Sequence, residues 1–185
     1  YKALLKDYKW LKSHNVRQLH FQLPEGISFL RFHRPTKFGD SLKGVRYGID
    51  LVNQTQKPVF GFEEGRIFNG FRNIFPLFFH NEFVGSVEVS YGLDAMSRVL
   101  NHKGKSSEVF ILSSKIVKQK LFKEELSNYA DFPFGDAWLL DKEAAETSIK
   151  MNKIPRQTID QINLNVKDLF IQNISQDKTR SGYTQ

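Results

Sequence analysis

Seven residues in the first half of the chain have types and spacing suited to recognising a charged molecule. They are Arg31, Arg46 and Arg72, the acids Asp40, Glu63 and Glu88, and His33. Each stands in or beside a stretch otherwise apolar enough to be buried. A buried charge is costly unless it is paired. Either these charges pair with one another, or some of them face a ligand. Arginine can hold a carboxylate or phosphate through two parallel hydrogen bonds, a geometry that lysine lacks. Acid and base together suit a zwitterion such as an amino acid, whereas arginines alone suit a plain carboxylate. The alternative is an internal Arg–Glu lattice that ties strands and helix together. In that case His33 is a satisfied structural histidine, and the many Phe residues are core first and pocket wall second.

Covalent and metal catalysis find no motif. The five histidines, His14, His20, His33, His80 and His102, form no metal-ligand spacing such as HExxH. GxSxG, P-loop and GxGxxG patterns are absent, and Gly61, Gly65 and Gly70 are too widely spaced to cradle a phosphate. Glu63 and Glu64 are neighbours on an expected strand, so they point to opposite faces and cannot act as an acid/base pair. The chain has no Cys, which excludes disulfides, thiol catalysis and thiolate metal sites. The expectation is a binding region with no enzyme activity, metal or cofactor of its own.

With 185 residues, 40% hydrophobic and 17 of them Phe, the chain can build one well-packed domain, or one domain and a reduced second. The first residue is Tyr1, so the sequence reads as an excerpt of a longer protein. No apolar run approaches the roughly 20 residues of a membrane span, and no signal peptide is visible. The net charge of +7 is spread from Lys2 to Arg180 without a long cluster. That distribution fits a solvated basic surface and not a nucleic-acid binder.

The elements that must position these residues follow from periodicity. Leu4, Leu5, Tyr8 and Leu11 recur at helical spacing over residues 1 to about 14. Val16–Leu23 and Ile27–His33 read as a hairpin turning at Pro24-Glu25-Gly26. Alternation puts Phe29, Arg31 and His33 on one face of its second strand. Asp40 or Ser41 is placed to cap a helix with the stripe Leu42, Val45, Ile49 and Val52. Arg46 would lie beside that stripe, and a pair with Asp50 at i+4 is the alternative to a role in binding.

Three strands are expected at about 58–64, 68–79 and 82–91. In the middle one Arg72, Ile74 and Pro76 share a parity, and Pro76 implies an edge position or a bulge. In the last, Ser86, Glu88 and Ser90 oppose Phe83, Val87, Val89 and Tyr91. The polar face is either solvated or a covered polar pocket.

Beyond these, Leu93–Leu100 reads as a helix and Asn101–Lys105 as a loop. Glu108–Leu112 reads as a strand, Ser113–Val117 as a turn into its neighbour, and Lys118–Tyr129 as a helix broken by Phe132-Pro133-Phe134-Gly135. Asp141 should cap a further helix. Ile159–Phe170 reads as mixed helix and strand, and the tail from Gln176 as loose.

Helix, hairpin, helix and three antiparallel strands is the element order of a PAS-like domain. The series Leu30-Arg31-Phe32-His33-Arg34-Pro35, Phe38-Gly39-Asp40, Arg46, Lys57-Pro58, Gly61-Phe62-Glu63-Glu64-Gly65, Phe71-Arg72, Pro76 and Gly85-Ser86-Val87-Glu88 resembles the double Cache sensor family. More narrowly, it is similar to the branch with an LRxHxPxxFGD…R…KPVxGxExG…R…P…G…E pattern. The likeness covers about residues 17 to 91, and is weaker at Lys120-Leu121-Phe122, Tyr129 and Trp138–Glu143.

The resemblance implies an α+β fold, with a PAS-like five-stranded antiparallel sheet, an N-terminal helix, crossing helices and a smaller C-terminal α/β extension. The expected domains are a helix at 1–15 ending a longer signalling helix, a membrane-distal module at 16–105, and a smaller membrane-proximal module at 106–185. It also implies the periplasmic portion of an inner-membrane receptor, such as a chemoreceptor, a two-component histidine kinase or a diguanylate cyclase. The expected partner is a small carboxylate or amino acid, with a homodimer as a further partner. Arg31, His33, Asp40, Arg46, Glu63, Arg72 and Glu88 fall on the family's characteristic positions and are the candidate ligand-binding set. The alternative is a Cache-like interaction module that signals through a partner protein or by dimerising.

Overall fold

The structure is a computed structural model that describes residues 1–100, 110–132 and 135–152. The expected loop at 101–105, the boundary at 105/106, the start of the strand at 108, Pro133-Phe134, and the segments at 159–170 and 176–185 lie outside the described residues. The chain divides into two compact units, the first running from Tyr1 to Gly92 and the second starting at Leu93. The fold class is α+β, as expected. Among the described residues no helix is long and apolar enough to cross a membrane.

The first unit is built on a five-stranded antiparallel sheet. Its strands are β1 (Val16–Gln22), β2 (Ser28–Arg31), β3 (Val59–Glu64), β4 (Asn69–Phe79) and β5 (Glu82–Gly92), in the order β2-β1-β5-β4-β3. Helix α1 (Leu5–Ser13) packs on β1, and α2 (Tyr47–Thr55) packs on β3, β4 and β5. Pro76 behaves as its chemistry requires. The β3–β4 pairing ends at Val59 opposite Ile74, so β4 has no β3 partner by the time it reaches Pro76, and a register shift follows at Leu77/Phe78.

The two faces of the sheet are filled differently. On the α1 face, Tyr8, Leu19 and Phe32 form a core with Leu11, Phe21, Leu30, Val87 and Val89 against it. On the α2 face, Leu42, Ile49, Val52, Val59 and Ile74 close an apolar core at one end. Burying each such side chain is worth about 1.5–3 kcal/mol. The rest of the α2 face is polar and equally buried. It carries Gln18, His20 and Gln22 from β1, Ser86, Glu88 and Ser90 from β5, and Arg72 from β4. The covered polar face is therefore the one that forms. Gly85 makes its edge possible: it holds φ +135°, and a Cβ there would collide with the Gln22 carbonyl.

Two local expectations are corrected. The second strand is shorter than Ile27–His33, and Phe29 does not share a face with Arg31. Phe21 pairs with Leu30 and Gln22 with Ser28, so Phe29 has no opposite residue and bulges out to 59% exposure while Arg31 stays buried. The helix expected from Leu42 begins only at Tyr47. Gly44 takes φ +71°, which breaks a helical path, and Arg46 is the extended residue before the first turn. Val45 is exposed and not part of the stripe. Residues 39–42 instead cover the outer edge of β2: Gly39 N–H donates to Ser28 O at 2.8 Å, and Ser28 N–H to Asp40 O at 3.0 Å.

The second unit has a three-stranded sheet of β6 (Ile111–Ser113), β7 (Tyr129–Asp131) and β8 (Trp138–Asp141), in the order β6-β8-β7. Its helices are α3 (Leu93–Leu100), α4 (Ser114–Lys120) and α5 (Lys142–Asn152). The single helix expected at Lys118–Tyr129 is corrected. Helix α4 occupies the expected turn, Leu121 is extended, and a 3-10 turn covers Lys123–Asn128 before β7. Asp141 caps α5 as expected, its Oδ1 accepting the Ala144 N–H at 2.9 Å. Helices α3 and α5 pack together, with Ser97 donating to Ala144 O at 3.4 Å.

Candidate functional site

Glu88 is the centre of the polar face. It sits on β5, the middle strand, and has no solvent exposure. Its Oε2 accepts from Arg46 Nη2 at 2.9 Å, and its Oε1 from Arg72 Nη1 at 3.0 Å. Ser90 Oγ also donates to Oε1. Burial alone would raise the Glu88 pKa. Arg46, Arg72 and the Ser90 hydrogen bond outweigh burial and hold it well below the usual carboxylate range.

Arg46 comes from the segment that precedes α2 and reaches two strands. Its Nε donates to Glu63 Oε2 on β3 at 2.9 Å, while Nη2 engages Glu88 on β5. Burial disfavours its charge, but Glu88 and Glu63 reverse that effect and raise its pKa. The Arg46–Asp50 pair that i+4 spacing would allow does not form; Asp50 Oδ2 accepts the Gly44 N–H at 2.8 Å and steadies the turn.

Arg72 rises from β4 beside Glu88. Its Nη1 is shared among Glu88, Gln18 Oε1 at 3.2 Å and Ser90 Oγ at 3.1 Å, and its Nη2 donates to Phe68 O at 2.9 Å. The Phe68 ring lies 4.3 Å under the guanidinium carbon. Burial, and then the neighbouring Arg46, lower its pKa despite the two glutamates. Its Nε is buried with no hydrogen-bond partner.

Arg31 and Asp40 form a second, more exposed pair. Arg31 Nη1 and Nη2 grip the two Asp40 oxygens at 2.6 and 2.8 Å, and Nη1 also donates to Lys37 O. This clasp closes the loop at 32–39. The Arg31 hydrogen bond lowers the Asp40 pKa, although the Asp40 side chain is 49% exposed and solvent screens the pair.

His20 lies between the two groups, opposite Arg31 on β2 and Glu88 on β5. His20 is buried, with Nε2 2.9 Å from Ser28 Oγ and its ring edge-on to His33 at 6.4 Å. Burial drives the His20 pKa down to about 3 and that of His33 to about 4, so both rings are neutral near pH 7. Glu88 acts on both in the opposite sense. His33 Nδ1 is buried without a partner.

The structure thus brings Arg46, Glu63, Arg72 and Glu88 into one bonded network. It joins Arg31 to Asp40 apart from that network and sets His33 near Glu88. Sequence reasoning missed His20, Gln18 and Gln22. For β1 a signal was present: Gln18, His20 and Gln22 alternate with less polar residues, which marks one polar face. Among the described residues no group of three or more His, Cys, Asp or Glu could hold a metal ion.

A family model described as the double sensory domain of two-component sensor kinases matches residues 7–137. Among solved structures, an extracellular ligand-binding receptor from Desulfohalobium retbaense is similar at 16% identity with a TM-score of 0.48, over 75% of this chain and 29% of that one. The ligand-binding domain of the Campylobacter jejuni chemoreceptor Tlp3, solved with 4-methylisoleucine, is similar at 14% identity with a TM-score of 0.44, over 61% of this chain and 46% of that one. This chain therefore spans less than half the length of either. No curated protein matches it.

Proposed function

The chain belongs to the double Cache family, the double sensory domain of two-component sensor kinases, and from that premise we propose that it is the extracytoplasmic ligand-sensing region of a bacterial transmembrane receptor. The small ligand would bind on the covered polar face of the first module, expected at residues 16–105, of which residues 16–92 fall in the first compact unit. Residues 106–185 would form the smaller membrane-proximal module, and residues 1–15 the end of a signalling helix. Arg31, His33, Asp40, Arg46, Glu63, Arg72 and Glu88 are the residues that bind or frame the ligand.

The observation that carries this reading is Arg46. It is the one arginine of the set that ties the segment crossing the sheet to β3 and β5 together. A ligand that binds beside these ion pairs with different affinity in two arrangements of that segment shifts the balance between them. The shift would reach the membrane through the N-terminal helix or the C-terminal segment.

A second reading rests on the pairing of the arginines. Arg31, Arg46 and Arg72 each have a carboxylate partner within the protein. That pairing favours a module that signals through a protein partner or a homodimer without a ligand.

A thermal-shift screen of the chain against amino acids, carboxylates, amines and phosphates separates the two. Binding to the native state at a hundredfold excess over Kd adds about 2.7 kcal/mol of apparent stability. A shift with one chemical class supports ligand sensing. No shift, with no small molecule released on denaturation and seen by mass spectrometry, sinks it in favour of the interaction module.

A further inference from the structure

The two edges of the five-stranded sheet differ. The outer edge of β2 is covered by residues 39–42, through Gly39 N–H to Ser28 O and Ser28 N–H to Asp40 O. β3 ends the sheet on the other side, and β4 takes one of its edges. Among the described residues none forms a backbone hydrogen bond with the other edge. A strand edge presents a row of backbone donors and acceptors, and it templates a further strand unless lysine, proline or a bulge blunts it. From Val59 to Phe62 β3 has none of these, and its register with β4 runs without a shift from Val59 to Glu64. Lys57 and Pro58 stand just before the strand.

The strand is also complementary to itself. Val59 packs in the apolar core with Ile49 and Val52 of α2, and Glu63 bonds Arg46, so the odd positions of β3 turn toward α2. Phe60 and Phe62 lie on the opposite face. Each meets a ring of β4 edge-on, Phe60 with Phe75 at 5.6 Å and Phe62 with Phe71 at 5.5 Å, and both remain half-buried. A two-fold axis normal to the sheet keeps the faces, so in an antiparallel pair of β3 strands it sets residues of equal parity opposite each other. With Gly61 on the axis, Phe60 of each copy stands opposite Phe62 of the other. Aromatic pairs directly across strands are favourable. Placing Phe60 or Phe62 on the axis leaves one such pair instead of two. The ends match as well. Glu64 falls opposite Pro58 and next to Lys57 of the other copy, and Glu63 falls opposite Val59, so unlike charges adjoin and no like charges face each other.

The geometry points to the outer edge of β3 as a homodimer interface, in which β3 pairs antiparallel with β3 of a second copy about Gly61. The inference rests on the homodimer named in the second reading, and gives it a surface and a register. The two five-stranded sheets then join into one, and the aromatic pairs of β3 and β4 run on into the second copy.

Sedimentation of the chain, with its concentration raised to about 1 mM, tests this. The chain should dimerise. Phe62→Lys puts a cation into both aromatic pairs and should weaken the dimer about tenfold or more. Phe29→Lys alters a residue that is 59% exposed on β2, at the other edge, and should leave the dimer unchanged. A disulfide decides the matter where Phe62→Lys does not fold, because the chain has no cysteine of its own. Residues directly opposite across an antiparallel pair have Cα atoms about 4.5–5.5 Å apart, within the span of a disulfide. A mixture of Phe60→Cys and Phe62→Cys chains should therefore cross-link between copies on oxidation. Either variant alone sets its cysteines two residues out of register, beyond the roughly 7 Å limit, and should not. Self-association that Phe62→Lys leaves unchanged, or that yields no disulfide in the mixture, overturns this interface and leaves the homodimer standing. A chain that stays monomeric removes the homodimer itself, and this inference with it.

Discussion

Arg46 Nη2 meets Glu88 Oε2 at 2.9 Å, joining residues 42 positions apart in the chain. The bond ties the residue before α2 to the middle strand of the sheet. Glu88 has no solvent exposure and is also held by Arg72, so neutralising it leaves the buried Arg72 without a carboxylate and Arg46 with Glu63 alone. Glu88→Gln should cost about 3–5 kcal/mol, the usual loss when one partner of a buried pair is removed. Urea denaturation should show a lower midpoint with an unchanged slope. A loss below about 1 kcal/mol would mean that water reaches these charges.

Exposure separates Asp40 from Glu88. Arg31 grips Asp40 with two short bonds, but half of the Asp40 side chain meets water. Asp40→Ala should cost only about 1 kcal/mol or less, and Arg31 would keep Lys37 O as an acceptor. A loss as large as that of Glu88→Gln would show that the loop at 32–39 depends on the clasp for its fold.

The sequence made the long strands, α3 and the polar parity of β5 legible, because alternation and helical spacing are local signals. It also singled out the four charged residues of the Arg46–Glu63–Arg72–Glu88 network, but not Gln18, which accepts from Arg72. It could not say which arginine meets which acid, since those partners lie 16 to 42 residues apart and register decides the pairing. The start of α2 misled for a physical reason. Leu42, Val45 and Ile49 have helical spacing, but Gly44 adopts a positive φ and Arg31 takes the Asp40 side chain that would have capped a helix. The bulge at Phe29 was hidden similarly, because a bulge shifts parity without changing composition.

Stability should fall on acidification earlier than carboxylates alone would dictate. His20 has a pKa of about 3 in the native state against an ordinary value of 6.5, so the unfolded chain takes up its proton first. Unfolding is therefore favoured progressively as pH drops from about 6.5 towards about 3. His33 acts in the same direction down to about 4. Glu88, whose native pKa is lowered, adds a further loss below about 4.5. By about pH 4 the histidines together should remove on the order of a few kcal/mol. Urea midpoints measured across this range should show a steady decline, less steep in His20→Gln between about pH 6 and 4. A flat profile down to about pH 5 would show that the rings are protonated in the native state.

Gly85 tests the closure of the polar face from the backbone side. Its φ of +135° is one that side chains rarely adopt, and a Cβ there would collide with the Gln22 carbonyl on β1. Gln22 is itself fixed by Ser86, whose hydroxyl donates to Gln22 Oε1 at 2.7 Å. Gly85→Ala must therefore strain the backbone or push β1 away from β5, and moving β1 displaces Gln18 and His20 from the network. Backbone strain of this kind alone costs about 1–3 kcal/mol, and the displaced β1 contacts add to it. Gly39 has a positive φ too, +82°, but nothing lies within 4 Å of its added Cβ, so Gly39→Ala should show the conformational part alone. The difference between the two variants in urea midpoint measures how tightly β1 must seat on β5 for the polar face to close; equal losses would mean that the Gln22 approach contributes nothing.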